Sequence, residues 1–237
     1  WGMTGDRIVA GDYDGDRKTD AAVWRPDTGY WHILQSSNNQ AFNYPFGAAA
    51  DVPVPADYDG DGKFDIAVFR PSNGTWYIRN SADGSLAVLN FGAGEDIPVA
   101  ADYDGDGRAD VAVWRPSNGT WYVMKSGVEG FAATQFGQNG DRPVAADYDG
   151  DRRADVAVFR PSNGTWYRLN SANGQFFDMQ FGVSTDHPVP ADYDGDGKTD
   201  IAVFRPSDGG WYILQSSNGG FRGEQFGQDL DVSVPGA

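Results

Sequence analysis

The chain has 237 residues, of which 34 are acidic and 18 are basic, so its formal net charge is −16 at pH 7. This charge disfavours binding to nucleic acids and to anionic membrane surfaces, because both attract basic patches. Cys is absent, which excludes a disulfide framework and thiol catalysis. No apolar run approaches the length of a membrane span, so we expect no membrane insertion and regard cations as the natural partners.

A 45-residue repeat organises the whole chain. An Asp-Tyr-Asp-Gly-Asp sequence begins at five equally spaced positions, Asp12, Asp57, Asp102, Asp147 and Asp192. Such a period, with 32 Gly and 14% aromatic residues, is typical of an array in which each unit is one small sheet. We therefore expect a single domain over 1–237, with repeats at 1–45, 46–90, 91–135, 136–180 and 181–225 and a tail at 226–237.

The third repeat shows the predicted elements in chain order. Ile97–Ala101 is short and apolar, as expected of a buried inner strand, and the acidic loop Asp102–Asp110 follows it. Val111–Arg115 is rich in β-branched and aromatic residues and predicts a second strand. Pro116 then stops this strand.

The second half of the same repeat predicts a hairpin and a fourth strand. Asn118 and Gly119 tolerate the positive φ of a two-residue hairpin turn. A third strand is expected at Trp121–Lys125 and a fourth around Phe131–Phe136. Four antiparallel strands in about 45 residues match one propeller blade, so the predicted fold class is all-β, a five-bladed β-propeller of four-stranded blades. The aromatic residues that recur in each repeat are expected to pack between blades, including Trp31, Trp76, Trp121, Trp166 and Trp211.

The acidic loop is the candidate metal site. Carboxylates occupy loop positions 1, 3, 5 and 9, and Gly residues allow the loop to curl around one point. Crowded carboxylates repel one another unless a hard cation lies among them, and Ca²⁺ accepts six to eight oxygen ligands. We therefore predict up to five Ca²⁺ ions, one per repeat, bound by these side chains and by the backbone carbonyl of position 7. The predicted ligands are Asp12, Asp14, Asp16, Lys18, Asp20, Asp57, Asp59, Asp61, Lys63, Asp65, Asp102, Asp104, Asp106, Arg108, Asp110, Asp147, Asp149, Asp151, Arg153, Asp155, Asp192, Asp194, Asp196, Lys198 and Asp200.

The surroundings of the loop exclude an EF-hand. Position 12 is Val in every copy, where an EF-hand requires a bidentate Glu. At position 6, Arg17 and Arg152 replace the Gly of the other copies. A non-Gly residue with positive φ costs about 1 kcal/mol, so weaker metal binding is expected in the first and fourth loops.

These motifs resemble the FG-GAP, or VCBS-type, repeat family of integrin α-subunit propellers and secreted microbial proteins. The residues that carry the resemblance are the Phe-Gly pairs beginning at Phe46, Phe91, Phe136, Phe181 and Phe226, the Pro-Val strands and the acidic loops. The resemblance covers essentially the whole chain. It implies a propeller whose calcium loops join the first and second strands of each blade.

Ring closure and a second repeated charge pattern need separate interpretations. Inner-strand sequences occur both at Ile8–Asp12 and at Val232–Gly236, and we expect the first to line the channel. The tail is expected either to cover the N-terminal seam or to begin another repeat. One Arg and one Asp recur in every repeat, which predicts Arg-Asp or Arg-carbonyl bonds that fix the blade edges; the alternative is an Arg ring that binds anionic sugars or carboxylates. The residues are Arg25, Arg70, Arg115, Arg160 and Arg205, and Asp6, Asp51, Asp96, Asp141, Asp186 and Asp231.

The predicted function is binding rather than catalysis. The only His residues, His32 and His187, have no repeated partner with which to build a catalytic group. We expect a secreted or cell-surface, monomeric, calcium-binding module for a carbohydrate or an extracellular protein ligand, lectin-like or adhesive. The alternative is a passive structural spacer of a larger secreted enzyme or surface protein. Exposed aromatic side chains near variable turns are the candidate contacts, namely Tyr44, Phe131, Phe177 and Phe221.

Overall fold

The computed structural model describes residues 2–228 and 231. These residues form twenty β-strands in five four-stranded antiparallel sheets, arranged as the blades of a propeller ring, which confirms the predicted fold class. Within them, no helix is long and apolar enough to cross a membrane. The tail Val232–Gly236 and Trp1 lie outside the described residues.

Each blade contributes strands in the order inner to outer. The strands are β1 Arg7–Ile8, β2 Ala21–Arg25, β3 Tyr30–Leu34, β4 Ala41–Pro45, β5 Val52–Pro53, β6 Ile66–Arg70, β7 Thr75–Arg79, β8 Leu86–Asn90, β9 Ile97–Pro98, β10 Val111–Arg115, β11 Thr120–Met124, β12 Ala132–Gln135, β13 Arg142–Pro143, β14 Val156–Arg160, β15 Thr165–Leu169, β16 Phe176–Gln180, β17 His187–Pro188, β18 Ile201–Arg205, β19 Gly210–Leu214 and β20 Phe221–Gln225.

The inner strand is shorter than the sequence predicts. In the third blade it covers only Ile97–Pro98, although pairing with β10 continues irregularly beyond it. The amide of Val99 donates to the carbonyl of Ala112 at 2.8 Å, and an isolated antiparallel bridge joins Ala101 to Asp110. This bridge closes the acidic loop at its base, so the loop joins two paired strands.

The predicted two-residue hairpin turn is wrong. Four residues join β10 to β11, because Arg115 pairs with Thr120 across the end of the hairpin. Gly119 has φ +63°, and its amide donates to the carbonyl of Arg115 at 2.9 Å. Pro116 favours the negative φ at the first central position of a type I turn, which a two-residue primed turn does not allow.

The core of each blade is built around buried aromatic side chains. Trp114 and Trp121 pair across β10 and β11 and are both fully buried. Their indole N–H groups donate to the carbonyl of Phe136 at 3.2 and 3.0 Å. Val158 of the next blade packs into the same cluster, so this core is shared by two neighbouring blades, as are those of the first, second and fourth blades.

The predicted Arg-Asp pairs are confirmed in all five blades. Arg115 donates through Nε to Asp96 Oδ1 at 2.7 Å and through its terminal nitrogen to Asp96 Oδ2 at 3.0 Å. Both bonds join the end of the second strand to the turn before the inner strand. Equivalent bidentate pairs link Arg25 to Asp6, Arg70 to Asp51, Arg160 to Asp141 and Arg205 to Asp186.

The fifth blade is less covered than the others. Trp31, Trp76 and Trp121 are fully buried and Trp166 is 4% exposed, whereas Trp211 is only partly buried. Phe226 is 80% exposed. Among the described residues, the core cluster of the fifth blade includes no residue of a neighbouring blade, unlike those of the other four.

Candidate metal sites

Carboxylate oxygens converge in every acidic loop. In the third loop, Asp102, Asp104 and Asp110 each offer one oxygen within 4.8 Å of the others. The first, fourth and fifth loops bring together the same positions 1, 3 and 9, and the second loop brings together Asp57, Asp59 and Asp61 at positions 1, 3 and 5. The structure thus brings together at least three of the four predicted carboxylates in each loop.

Backbone amides hold position 1 of the loop. Asp102 Oδ1 accepts from the amide of Gly105 at 2.6 Å, and Asp102 Oδ2 accepts from the amide of Gly107 at 2.8 Å. These bonds curl the loop around the carboxylate. The positive φ of Gly105 and Gly107, +83° and +85°, aims both amides inward.

Position 9 is a fully buried carboxylate. Asp110 accepts from the amides of Tyr103 and Ser126 at 2.9 and 2.7 Å. Burial raises the pKa of Asp110, and the same cause raises the pKa of Asp65 and of Asp155. These groups are therefore costly to ionise within the fold unless a cation compensates the charge.

A serine that the sequence analysis missed supports the loop from the outer half of the blade. Ser126 Oγ donates to Asp106 Oδ2 at 2.7 Å. The corresponding bonds are made by Ser36, Ser81, Ser171 and Ser216 to position 5 of their own loops. The signal was available, since Ser recurs at the 45-residue period, two residues after the end of the third strand.

Consecutive loops are joined to each other. The amide of Ala154 donates to the carbonyl of Asp102 at 2.7 Å, and Phe64, Ala109 and Thr199 make the same bond to the preceding loop. The side chain of Arg153 also lies against Gly105 of the preceding loop. No equivalent bond joins Asp192 to Thr19 among the described residues.

The two Arg substitutions adopt the conformation of the Gly that they replace. Arg17 and Arg152 have φ +65° and +67°, and their amides donate to position 1 of their loops at 2.7 Å. The loop shape is therefore kept in these copies, with the backbone strain that the sequence predicts.

The donor set fits a hard divalent cation. The converging ligand atoms are carboxylate oxygens, and no His side chain belongs to any of the clusters found in the described residues. Oxygen-only sites select Ca²⁺ or Mg²⁺ over transition metals, and irregular loops suit the flexible coordination of Ca²⁺. The position-7 carbonyls of Lys18, Lys63, Arg108, Arg153 and Lys198 remain predicted ligands.

Clefts at equivalent places separate neighbouring blades. The cleft between the first and second blades has a volume of about 410 Å³, and its lining includes Tyr13, Gln35, Phe42 and Phe64. The cleft between the second and third blades, about 280 Å³, is lined at corresponding positions by Tyr58, Asn80, Ala87 and Ala109. The repeat thus places a cleft at the same position between blades, while the side chains that line it differ from one cleft to the next.

The other candidate residues have packing roles in the structure. Phe131 and Phe221 are 63% and 65% exposed, yet each ring lies within 6.5 Å of two other aromatic rings. Tyr44 lies 4.6 Å below the Arg79 guanidinium. His32 Nδ1 hydrogen-bonds Asn43 Oδ1 at 2.6 Å, and His187 packs beside Phe204.

Sequence profiles decide the family. The FG-GAP-like repeat profile matches residues 12–68, 57–113, 102–158 and 147–203, and the FG-GAP repeat profile matches residues 187–221. The chain belongs to the FG-GAP-like repeat family. No curated protein matches the sequence significantly.

Solved structures share the propeller fold of these FG-GAP-like repeats. An Agrocybe aegerita lectin that recognises non-reducing terminal N-acetylglucosamine aligns over 98% of this chain and 83% of its own, with TM-score 0.61 and 17% identity. A catalytically inactive virginiamycin B lyase from Staphylococcus aureus aligns over 95% of this chain and 73% of its own, with TM-score 0.62 and 7% identity. The BBS1N chain of a complex with ARL6DN aligns over 91% of this chain and 66% of its own, with TM-score 0.52 and 14% identity.

Proposed function

We propose that this chain is a calcium-stabilised propeller that acts outside the cytosol as a non-catalytic, multivalent binding module for carbohydrates. The observation that carries the calcium proposal is the convergence of carboxylate oxygens within 4.8 Å in all five loops. Affinities of about 10⁻⁴ to 10⁻³ M, which suit extracellular modules, are expected for such exposed loops. An affinity in this range would suit a location outside the cytosol.

The repeated loops support a structural role for the ions. Each loop closes the base of an inner hairpin, and each of the first four loops is bonded to the next loop, so an ion in one of these four loops stabilises two blades. Five divalent ions would also offset about ten of the sixteen excess negative charges. Calcium should therefore raise the melting temperature, and a chelator should lower it.

The inter-blade clefts support carbohydrate binding. The cleft between the first and second blades combines the rings of Tyr13, Phe42 and Phe64 with polar groups of Gln35 and Asp83. Aromatic faces pack on the C–H face of a sugar while nearby polar groups bind its hydroxyls. Repetition of weak clefts around one molecule would raise the overall affinity for a glycan-coated surface.

A glycan array with millimolar calcium tests this function. Binding of a defined neutral sugar, competed by the free monosaccharide, is the expected result. Phe42→Ala should weaken that binding about tenfold or more, because it removes an aromatic ring from the lining of the cleft. This variant should fold, since Ala87 occupies the equivalent position in the second blade. Phe176→Ala, a matched loss of an exposed ring outside this cleft, should leave it unchanged.

Two outcomes count against the proposal. Silence across glycans would favour a structural spacer, in which the ions give rigidity alone. A melting curve that does not change in chelator would reject the calcium role instead.

A further inference from the structure

The cleft between the fourth and fifth blades breaks the repeat pattern at one position. The third strand of the other blades carries a buried aliphatic residue there, namely Ile33, Ile78, Val123 and Ile213. The fourth blade has Arg168 instead. Because the equivalent residues are buried and aliphatic, packing alone does not account for a charged side chain at this position, which makes it a candidate for a functional role.

The guanidinium of Arg168 has no carboxylate partner among the described residues, although the chain holds 34 acidic side chains. Its Nε is buried and makes no hydrogen bond. The group is stacked instead, 4.6 Å from the Phe177 ring centre and 5.6 Å from the Tyr148 ring centre. Neighbouring Arg160, in contrast, is paired with Asp141. A buried charged donor without a hydrogen-bond partner is energetically costly, so a bound anion that accepts a hydrogen bond from this guanidinium would be stabilising.

The cavity beside Arg168 has the size of a small functional group. Its volume is about 70 Å³, and its walls include Tyr148, Trp166, Phe177 and Ile201. A cavity needs about 10–15 Å³ to hold one water molecule. The cavity beside Arg168 is therefore large enough for a carboxylate group but too small for a whole sugar ring. Asp178 also borders the cavity, but it alternates with Phe177 and Met179 in β16, which turns its carboxylate to the opposite face.

We propose that this cleft binds the carboxylate of a small organic acid, with Arg168 as the charged donor. A monovalent carboxylate is favoured over a divalent anion, because the net charge of −16 repels a second negative charge more strongly. The body of the ligand extends from the cleft into solvent. This site is separate from the neutral-sugar cleft, so either proposal can fail without the other.

Titration of the full chain at saturating calcium tests the site, with D-glucuronate as the probe and D-glucose as its neutral control. Glucuronate should bind and shift the NMR signal of a single Arg Nε–H, whereas glucose should not. Arg168→Ile should weaken binding at least tenfold. This variant should fold, because Ile occupies the same position in three other blades. A melting temperature no lower than that of the original chain would verify that it is folded. Arg168→Lys should lose part of the affinity, since Lys lacks the planar fork of Arg.

The proposal is overturned if glucuronate does not bind, or if the folded Arg168→Ile chain binds it as tightly as the original chain. Equal binding would mean that glucuronate contacts calcium or another surface. Ile78→Arg is the reciprocal control. It places a guanidinium in a cleft where Ala87 replaces the ring of Phe177, and it should not bind glucuronate as tightly.

Discussion

The backbone carbonyl of Asp102 accepts a 2.7 Å hydrogen bond from the amide of Ala154, which lies in the next acidic loop. This bond joins two candidate metal sites through main-chain atoms alone. Because the Asp102 side chain is a predicted ligand, an ion in the third loop would fix the carbonyl that holds the fourth. The loops are therefore expected to form one connected structure around the ring rather than five independent sites.

Hydrogen exchange tests this connection. Removing calcium with a chelator should speed the exchange of the Ala154 amide, because the loop that supplies its acceptor loosens. The amide of Thr19 is the internal comparison, since no equivalent bond to Asp192 is found among the described residues. Equal acceleration at both amides would show that the inter-loop bond does not depend on the ion.

Matched substitutions at loop position 6 test the backbone strain. Gly107→Arg should destabilise the fold by about 1 kcal/mol, because Arg must adopt positive φ there. Its added Cβ meets no atom within 4 Å, so steric clash does not contribute. Arg152→Gly relieves the same strain and should strengthen calcium binding in the fourth loop. Urea unfolding and calcium titration measure the two effects, and five sites of equal affinity in the original chain would contradict the prediction.

Two tryptophans at equivalent positions should differ in their contribution to stability. Trp121 is fully buried, so Trp121→Ala should cost about 3–5 kcal/mol. Trp211 is only partly buried on the less covered face of the fifth blade, and Trp211→Ala should cost clearly less. Chemical unfolding of both variants provides the comparison. Equal losses would mean that the fifth blade is as well covered in solution as the third.

The repeated parts of the structure could be predicted because the same residue types occur at equivalent positions in all five repeats. The second strands, the Arg-Asp pairs and the position of the loop between two strands all follow from residue types that recur with one period. The prediction of the hairpin turn is wrong, because Asn118-Gly119 indicates a two-residue turn, whereas Pro116 favours the first central position of a type I turn and four residues join the strands. Contacts between loops depend on how blades stack and could not be read from local spacing, whereas the recurrence of Ser126 in every repeat could have indicated its pairing with Asp106.

Stability without metal should depend on pH in two directions. Burial raises the pKa of Asp65, Asp110 and Asp155 in the folded chain, so the folded state binds more protons than the unfolded state. Their contribution is fully present below about pH 4 and is lost as pH rises through the folded pKa. The Ser126 hydroxyl lowers the pKa of Asp106, so the contribution of this group is present above about pH 4 and is lost as pH falls further.

Melting curves in chelator should therefore show maximum stability near pH 4 and a decline toward neutral pH. In calcium, ligation favours the ionised carboxylates, and stability should rise over the same range instead. The melting temperature in calcium minus that in chelator, taken at each pH, isolates the effect of the ion from other effects of pH. Parallel pH profiles with and without calcium would show that the buried carboxylates do not bind the ion.

A crystal structure grown in millimolar calcium tests the central claim most directly, because anomalous scattering identifies the ion in each loop. The prediction is one Ca²⁺ in each of the five acidic loops, with oxygen ligands at about 2.3–2.6 Å. The ligands in the third loop should include Asp102, Asp104 and Asp110. Ordered water in place of an ion in all five loops would contradict it.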